Sequence, residues 1–407
     1  MKESMITKSE NEYIISARKT DFAYVGFLLC LFVLLAEFFY RQTIRYNDAY
    51  ISDTIVYAQN LGKLNGSRMI AWLFPKLHAI NGGTFEIAVF MSLVVIATII
   101  ANYFLIDYLL QREKCSVERW KIQALSLIGL FSSAIYVPGI YEHFYMKTWP
   151  RYAWHSPTQQ SMVLFSVISL ILFLKIYDHY FERIRFSQWL GLTASIFLAT
   201  WSKPNFMMIL APTAVIVFIA DLISRREYSL WHRIKRIVML GCTMIPAGLF
   251  MIGISMYEYG DDGASEGVGI MVGYFLRNID HPAVMIFLSL AFPLVVIAFN
   301  LRKLKDRAYQ IICSMTAFGI AEYLTLVELG KTINHGNFGW GREVGEYILF
   351  LAALSMAIMN YKDPDFLSGK PVVRKLYFLL IGLLLAGHVL SQLWYFQLLI
   401  RGHLYRM

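Results

Sequence analysis

Residues 84–110 read TFEIAVFMSLVVIATIIANYFLIDYLL, with no charged side chain between Glu86 and Asp107. An uncharged apolar run of about 20 residues is the length a helix needs to cross the hydrocarbon core of a bilayer. Comparable windows recur at roughly 22–40, 122–140, 158–177, 188–201, 204–223, 237–256, 282–299, 309–328, 345–361 and 376–398. Together they predict an all-α polytopic membrane protein of about 11 transmembrane helices. Residues 188–223 read either as two spans or as one broken element. The composition agrees: the 407 residues are 57% hydrophobic and 16% charged, with a mean hydropathy of +0.51. A soluble chain carries about 25% charged residues and alternates apolar stripes with polar faces.

The N-terminal MKESMITKSENEYIISARKTD is polar, and no small-residue cleavage site follows its apolar run. An uncleaved first helix is therefore expected rather than a signal peptide. The domain plan is a cytoplasmic tail over 1–21, one transmembrane domain over 22–398 and a short external tail over 399–407. The net charge of +9 sorts by topology. With the N-terminus inside, the inward connections are QREKCSVERWK, KIYDHYFERIR, RREYSLWHRIKR, NLRKLKDR and YKDPDFLSGKPVVRK. With the tail they hold about two-thirds of all Lys and Arg, as the positive-inside rule requires. The surplus charge addresses lipid headgroups, and no nucleic-acid partner is expected. Cys30, Cys242 and Cys313 fall within spans and Cys115 in an inward loop, so no disulfide framework is expected. No P-loop, GxGxxG, metal-spaced Cys/His cluster or internal repeat is present.

The outward segments differ in kind. The first, 41–83, is long, and Ile55, Val56, Leu61, Leu64, Ile70, Trp72 and Leu73 suggest two short amphipathic helices at the membrane interface. Ser52 or Asp53 can cap the first of these. The others are 141–157, the short WSKPN at 201–205, a loop with five glycines at 257–282, and GKTINHGNFGWGREVGEY at 330–347. Asp53, His155, Lys203, His335, Arg342 and Glu343 thereby gather near one membrane face. Charged groups beside hydrocarbon usually face protein or a water-filled cavity.

Each motif has a plain and a functional reading. In TWPRYAWHSPTQQ (148–160), Ser156 fits N-cap, Pro157 N1 and Gln159 N3 of a capping box. Trp154 and His155, just before it, are either an interfacial anchor or part of an anion pocket at the helix start. Lys203 beside Pro204 either snorkels or attracts a phosphate. Asp53 is either a plain N-cap or an ionised general base, with Asp48 as its reserve. In HGNFGWGREVGEY, glycines permit close approach, Trp340 can stack on a sugar and Arg342 can grip a phosphate in two-point fashion. The alternative there is a glycine-rich turn with an internal Arg–Glu pair. Asp261, Asp262 and Glu266 could attract a divalent ion, but DDGASE lacks metal-ligand spacing.

An acidic residue in the first external loop, interfacial helices and a basic residue at an external helix start resemble the GT-C superfamily. These are polyprenyl-phosphate-sugar-dependent glycosyltransferases. SDTIVYA, PKLH (75–78), WHSPT (154–158), SKPNF (202–206) and HGNFGWG (335–341) also look like polytopic proteins of bacterial surface-polysaccharide gene clusters. The likeness spans roughly 22–361. It implies a glycosyltransferase of the bacterial plasma membrane with its active face external or periplasmic. Asp53 would activate the acceptor, Lys203 and Arg342 would hold the lipid phosphate, and His155 would assist. Trp154, His335, Trp340 and Glu343 would meet the sugars. The implied partners are a polyprenyl-phosphate-linked sugar, a glycan or lipid-linked acceptor and the bilayer. No cofactor is required, and a divalent cation has no motif behind it. The sequence departs from the family in lacking a second adjacent acidic residue, since Ser52 and Thr54 flank Asp53, and no soluble external domain appears. Two other functions fit the pattern: a polysaccharide polymerase or ligase, for which Arg41, Arg45, Arg68, Arg151, Arg277 and Arg342 speak, and a lipid-linked sugar flippase. Glu37, Glu322 and His388 are the polar residues within spans that a flippase would use.

Overall fold

The computed structural model describes residues 2–44, 52–59, 61, 68–140, 150–258, 265–278, 281–330, 333 and 336–401. Asp48, Arg45, Asp261, Asp262 and His335 lie outside the described residues, as does the end of the expected external tail. Helix α1 (Lys2–Ile44) runs unbroken for 43 residues, so the backbone of the expected tail is helical and continues into the first span. Two short helices follow in the first long connection, α2 (Asp53–Gln59) and α3 (Met69–Asn81), where two were expected. Then come α4 (Phe85–Arg112), α5 (Arg119–Leu130), α6 (Pro157–Tyr177), α7 (Phe186–Ser202) and α8 (Asn205–Ser224). The ambiguous stretch 188–223 thus resolves into two helices parted by Lys203 and Pro204.

The remaining helices are α9 (Leu230–Gly241), α10 (Ile245–Glu258), α11 (Pro282–Ala298), α12 (Arg307–Thr325), α13 (Gly339–Lys362) and α14 (Pro371–Arg401). Strands β1 (Ser265–Ile270) and β2 (Leu326–Gly330) pair antiparallel, with Val268 opposite Glu328 and Ile270 opposite Leu326. Among the described residues, seven helical segments are long and apolar enough to cross a membrane. They are Asp21–Ile44, α4, α6, α8, Leu230–Ile254, α13 and α14. The chain is an all-α multi-pass membrane protein with a small hairpin added.

The expected span at 122–140 is helical only in its first part. After Phe131 the chain runs without helix through 132–137. Pro138 disfavours helical backbone at the residue before it. Backbone groups at such depth must find partners inside the protein, and these do. Ser133 N donates to His388 O (3.1 Å), Ile135 N to Leu288 O (3.2 Å) and Tyr136 N to Ser391 Oγ (2.9 Å).

Helix α13 is the centre of the bundle, with residues 338–356 all buried. It meets α12 almost backbone to backbone. A methyl group at Gly319 would lie 2.7 Å from Gly341 O, and one at Gly345 would lie 2.8 Å from Thr316 Cα. Gly341 and Gly345 form the small-xxx-small spacing that lets membrane helices approach this closely.

The basic end of the bundle is tied by ion pairs between connections. Arg112 bridges Asp178 and Asp306, Lys303 meets Glu113 at 2.8 Å and Lys362 meets Glu118 at 2.9 Å. The opposite end carries α2, α3, the hairpin and the starts of α6, α8, α11 and α13.

Candidate functional site

At that opposite end the chain does something the hydropathy pattern hides. Residues 150–160 are all buried, although 150–156 are not helical. Irregular backbone survives among membrane helices only where protein groups satisfy it. Each carbonyl from Arg151 to His155 accepts a hydrogen bond. Gln159 Nε2 donates to Arg151 O (2.9 Å), Gln392 Nε2 to Tyr152 O (3.4 Å), and Gln160 Nε2 to Ala153 O (3.1 Å). Gln42 Nε2 donates to Trp154 O (3.4 Å), while Ser52 Oγ (3.1 Å) and Thr54 N (3.2 Å) donate to His155 O.

The helix start at 156–157 is as expected, with Ser156 at N-cap and Pro157 first. The capping box is not. Ser156 makes no side-chain cap bond, and Gln159 Oε1 instead accepts from Ala153 N (3.1 Å). Gln159 therefore serves the buried loop rather than the N-cap backbone, because that loop holds the unsatisfied polar groups.

Arg151 drives the loop deeper. Its guanidinium is fully buried, lies 4.3 Å from the Phe350 ring centre and donates to Ser289 O, with His388 Nδ1 3.1 Å away. Ser289 is seven residues into α11 and Phe350 eleven into α13. At about 1.5 Å per residue, Arg151 reaches about 10–16 Å below the helix starts. It is not an external arginine. Beside it runs a buried polar row: Ser289 Oγ donates to Glu346, and Glu346 lies 3.5 Å from Arg342 Nε.

The loop positions Asp53. Ser52 Oγ accepts from Thr54 N (3.2 Å) and so caps α2, which leaves the Asp53 carboxylate free of that duty. Among the described residues no hydrogen bond to that carboxylate is present, and the residue is half-exposed. Its charge acts on both His155 and Lys203, and the next residue ties it to the loop, since Thr54 N donates to His155 O.

His155 is buried, with Nδ1 2.6 Å from Tyr395 Oη. Burial pushes its imidazole down to about 4, against the opposing pull of Asp53 and with a further push from Lys203. It is neutral at physiological pH, so it adds no cation to an anion pocket.

Lys203 sits between α7 and α8 with its ammonium 3.4 Å from the Trp340 ring centre. Burial pushes it down to about 7, opposed by the charges of Asp53 and Glu343. The adjoining polar chain runs from Asn205 Nδ2 to Asn337 O (2.8 Å), and from Asn337 Nδ2 to both oxygens of Glu328 (2.9 Å each).

Glu343 is 1% exposed with Oε2 unpartnered, and its side chain feels Arg342 and Lys203. Arg342 is 1% exposed and turned toward the Tyr323 ring (4.4 Å), Met285 Sδ (3.7 Å) and Glu346. Trp154 is fully buried among Phe38, Phe131, Tyr152 and Phe396, with ring centres 5.0–6.3 Å away. Its surroundings are those of a core residue. Among the described residues, no three His, Cys, Asp or Glu side chains gather as a metal site.

Sequence reasoning passed over Gln42, Gln160, Gln392 and Tyr395 and gave Gln159 a capping role, yet these residues build the site's frame. For Gln159 and Gln160 the signal was the polar run TQQS at 158–161 opening an otherwise apolar helix. No family model matches the chain, and no curated protein matches it in sequence.

Proposed function

We propose that the protein is a membrane glycosyltransferase that moves a sugar from a polyprenyl-phosphate donor to a glycan or lipid-linked acceptor. In this reading all eleven apolar segments complete a GT-C-like bundle, and α2 and α3 lie at the external membrane surface. The supporting observation is the convergence of an uncapped Asp53 carboxylate with Lys203 over Trp340, at one end of the bundle. The acceptor hydroxyl oxygen attacks the anomeric carbon, and its proton passes to Asp53. The bond from that carbon to the phosphate oxygen breaks, and the phosphate leaves with the electron pair. Lys203 stabilises that growing charge. The leaving group is a phosphate, so no general acid is required. Arg342, in the first turn of α13, is a reserve cation that reaches a ligand by exchanging its contacts with Tyr323, Met285 and Glu346.

The flippase reading draws on one observation of its own, the buried row Arg342, Glu346, Ser289 and Arg151. Intramembrane charges often mark a transport path. One assay separates the two. Purified protein is given polyprenyl-phosphate sugars and candidate acceptors, and glycosidic product is measured. For Asp53→Asn the expected loss of rate is about 10²–10⁴-fold with donor binding retained. Full transfer by a folded Asp53→Asn protein would remove this mechanism, and lipid movement without product would favour the flippase.

A further inference from the structure

The hairpin is the β element added to the helical bundle, and its strand β1 is apolar on the wrong side for water. Val268 is 51% exposed, Ile270 79%, Met271 39% and Val272 74%. Val268 and Ile270 share one face of β1, since side chains alternate along a strand. The partner strand is anchored, with Val327 fully buried. A two-stranded hairpin presenting such a stripe to water gains little stability from its own contacts.

The chain that follows the stripe has the make-up of a membrane interface. Arg277 lies exposed, 5.9 Å from the Tyr274 ring centre, a basic–aromatic pair of the kind found at headgroup level. Phe275 stacks on Tyr323 at 5.7 Å, which fixes this turn to the end of α12. Gly273 N donates to Leu324 O (2.7 Å) and Met271 N to Thr325 O (2.9 Å). In α11, Val284, Phe287 and Leu294 are also exposed along one side. Exposed apolar side chains are thus found both on the hairpin and on the short apolar helix α11 that follows it.

We propose that β1 and the two residues after it form a bilayer-seated element, with Val268, Ile270, Met271 and Val272 lying in the boundary between headgroups and acyl chains. The open edge of a two-stranded sheet cannot enter dry hydrocarbon, because its backbone groups would go unsatisfied. That limits the seat to the boundary and makes the side chains, not the backbone, the inserting groups. Val268 pairs with Glu328, and Glu328 holds Asn337, which holds Asn205 two residues from Lys203. The strand is thus linked by one strand pair and the side chains of Glu328, Asn337 and Asn205 to the candidate site.

The test is photo-crosslinking of the full-length chain in vesicles of phosphatidylethanolamine and phosphatidylglycerol. Benzoylphenylalanine replaces Ile270 or Val272. Leu379 on α14, 59% exposed, is the lipid-facing reference, and the exposed Asp365 is the aqueous one. Lipid adducts at 270 and 272 are expected at a yield comparable to Leu379 and well above Asp365. Adducts at Leu379 alone overturn the proposal. Cross-links from 270 or 272 to a second copy of the chain also overturn it, in favour of a protein interface. If the Ile270 variant fails to insert, Val272 decides by the same readout.

Discussion

Beneath the charges of Asp53 and Glu343 and over the ring of Trp340, Lys203 has lost much of its hydration, which favours the neutral amine. Its ammonium is held near 7 rather than the ordinary 10.5. A polyprenyl-phosphate sugar is a phosphodiester, whose own charge does not change near neutral pH. If the proposed donor binds here, Lys203 contributes to the pH dependence of binding, together with the buried Glu343 that acts on it. An anion stabilises the protonated amine, so binding takes up a proton above pH 7. Affinity is expected to fall about tenfold per pH unit from 7 upward, and titration of donor binding across pH 6–9 measures it. Lys203→Arg should flatten the slope while keeping the affinity seen at pH 6. An unchanged slope in that variant would place the titrating group elsewhere. Stability runs the other way. The folded state binds fewer protons than the unfolded chain between pH 7 and 10.5, so the cost of burying the charged lysine is fully present below 7. It fades as pH rises through that window.

Among the elements, α12 and α13 are held by absent side chains. Gly319→Val would force atoms to within 2.8 Å of the Arg342 backbone. Overpacking of this kind costs about 1–3 kcal/mol, and more where backbone must move. A lowered thermal midpoint in detergent is expected, whereas Gly253→Val, on open surface, should leave it nearly unchanged. Equal midpoints for the two would deny the close contact. The loop at 150–156 makes a second case. Gln159→Leu leaves Ala153 N and Arg151 O without partners, at about 1–3 kcal/mol for each buried group. The same melting measurement applies, and an unchanged midpoint would show that the loop finds other donors. These two elements also show what the sequence made legible. Runs such as 84–110 carry their own length and polarity, so that helix was readable to within two residues, whereas 122–140 and 237–256 were not: the first leaves the helix after Leu130 and the second divides into two helices. The loop was not, because its partners Gln42, Ser52 and Gln392 lie about a hundred residues or more away and window hydropathy is blind to such pairs. Asp53, His155 and Lys203 were found together because each is a polar residue beside a helix start. Arg151 was assigned to the outside by its segment, and only packing against Ser289 and Phe350 placed it deep in the bundle.

At the scale of the molecule the two ends divide the work. One end gathers basic connections, and ion pairs such as Arg112–Asp306 and Lys303–Glu113 hold the helices in register there. Pairs of this type are individually weak where water reaches them, so their collective role is to fix the frame. The other end concentrates buried carboxylates, a lysine of lowered basicity and the hairpin. Charge bias in short connections sets orientation during insertion, and the proposed function takes the basic end as the cytoplasmic one. The reading of Asp53 and Lys203 as a site for an external glycan depends on that assignment. It is testable without any substrate. Asn81→Cys, at the end of α3, and Asp365→Cys, in the basic connection before α14, are both exposed positions. In intact cells a membrane-impermeant thiol reagent should modify Asn81→Cys at once, and Asp365→Cys only after permeabilisation. The four native cysteines provide the background, with Cys115 expected to follow Asp365→Cys. The reverse pattern would turn the site toward the cytoplasm, where a lipid-linked donor and an external glycan acceptor could not meet it.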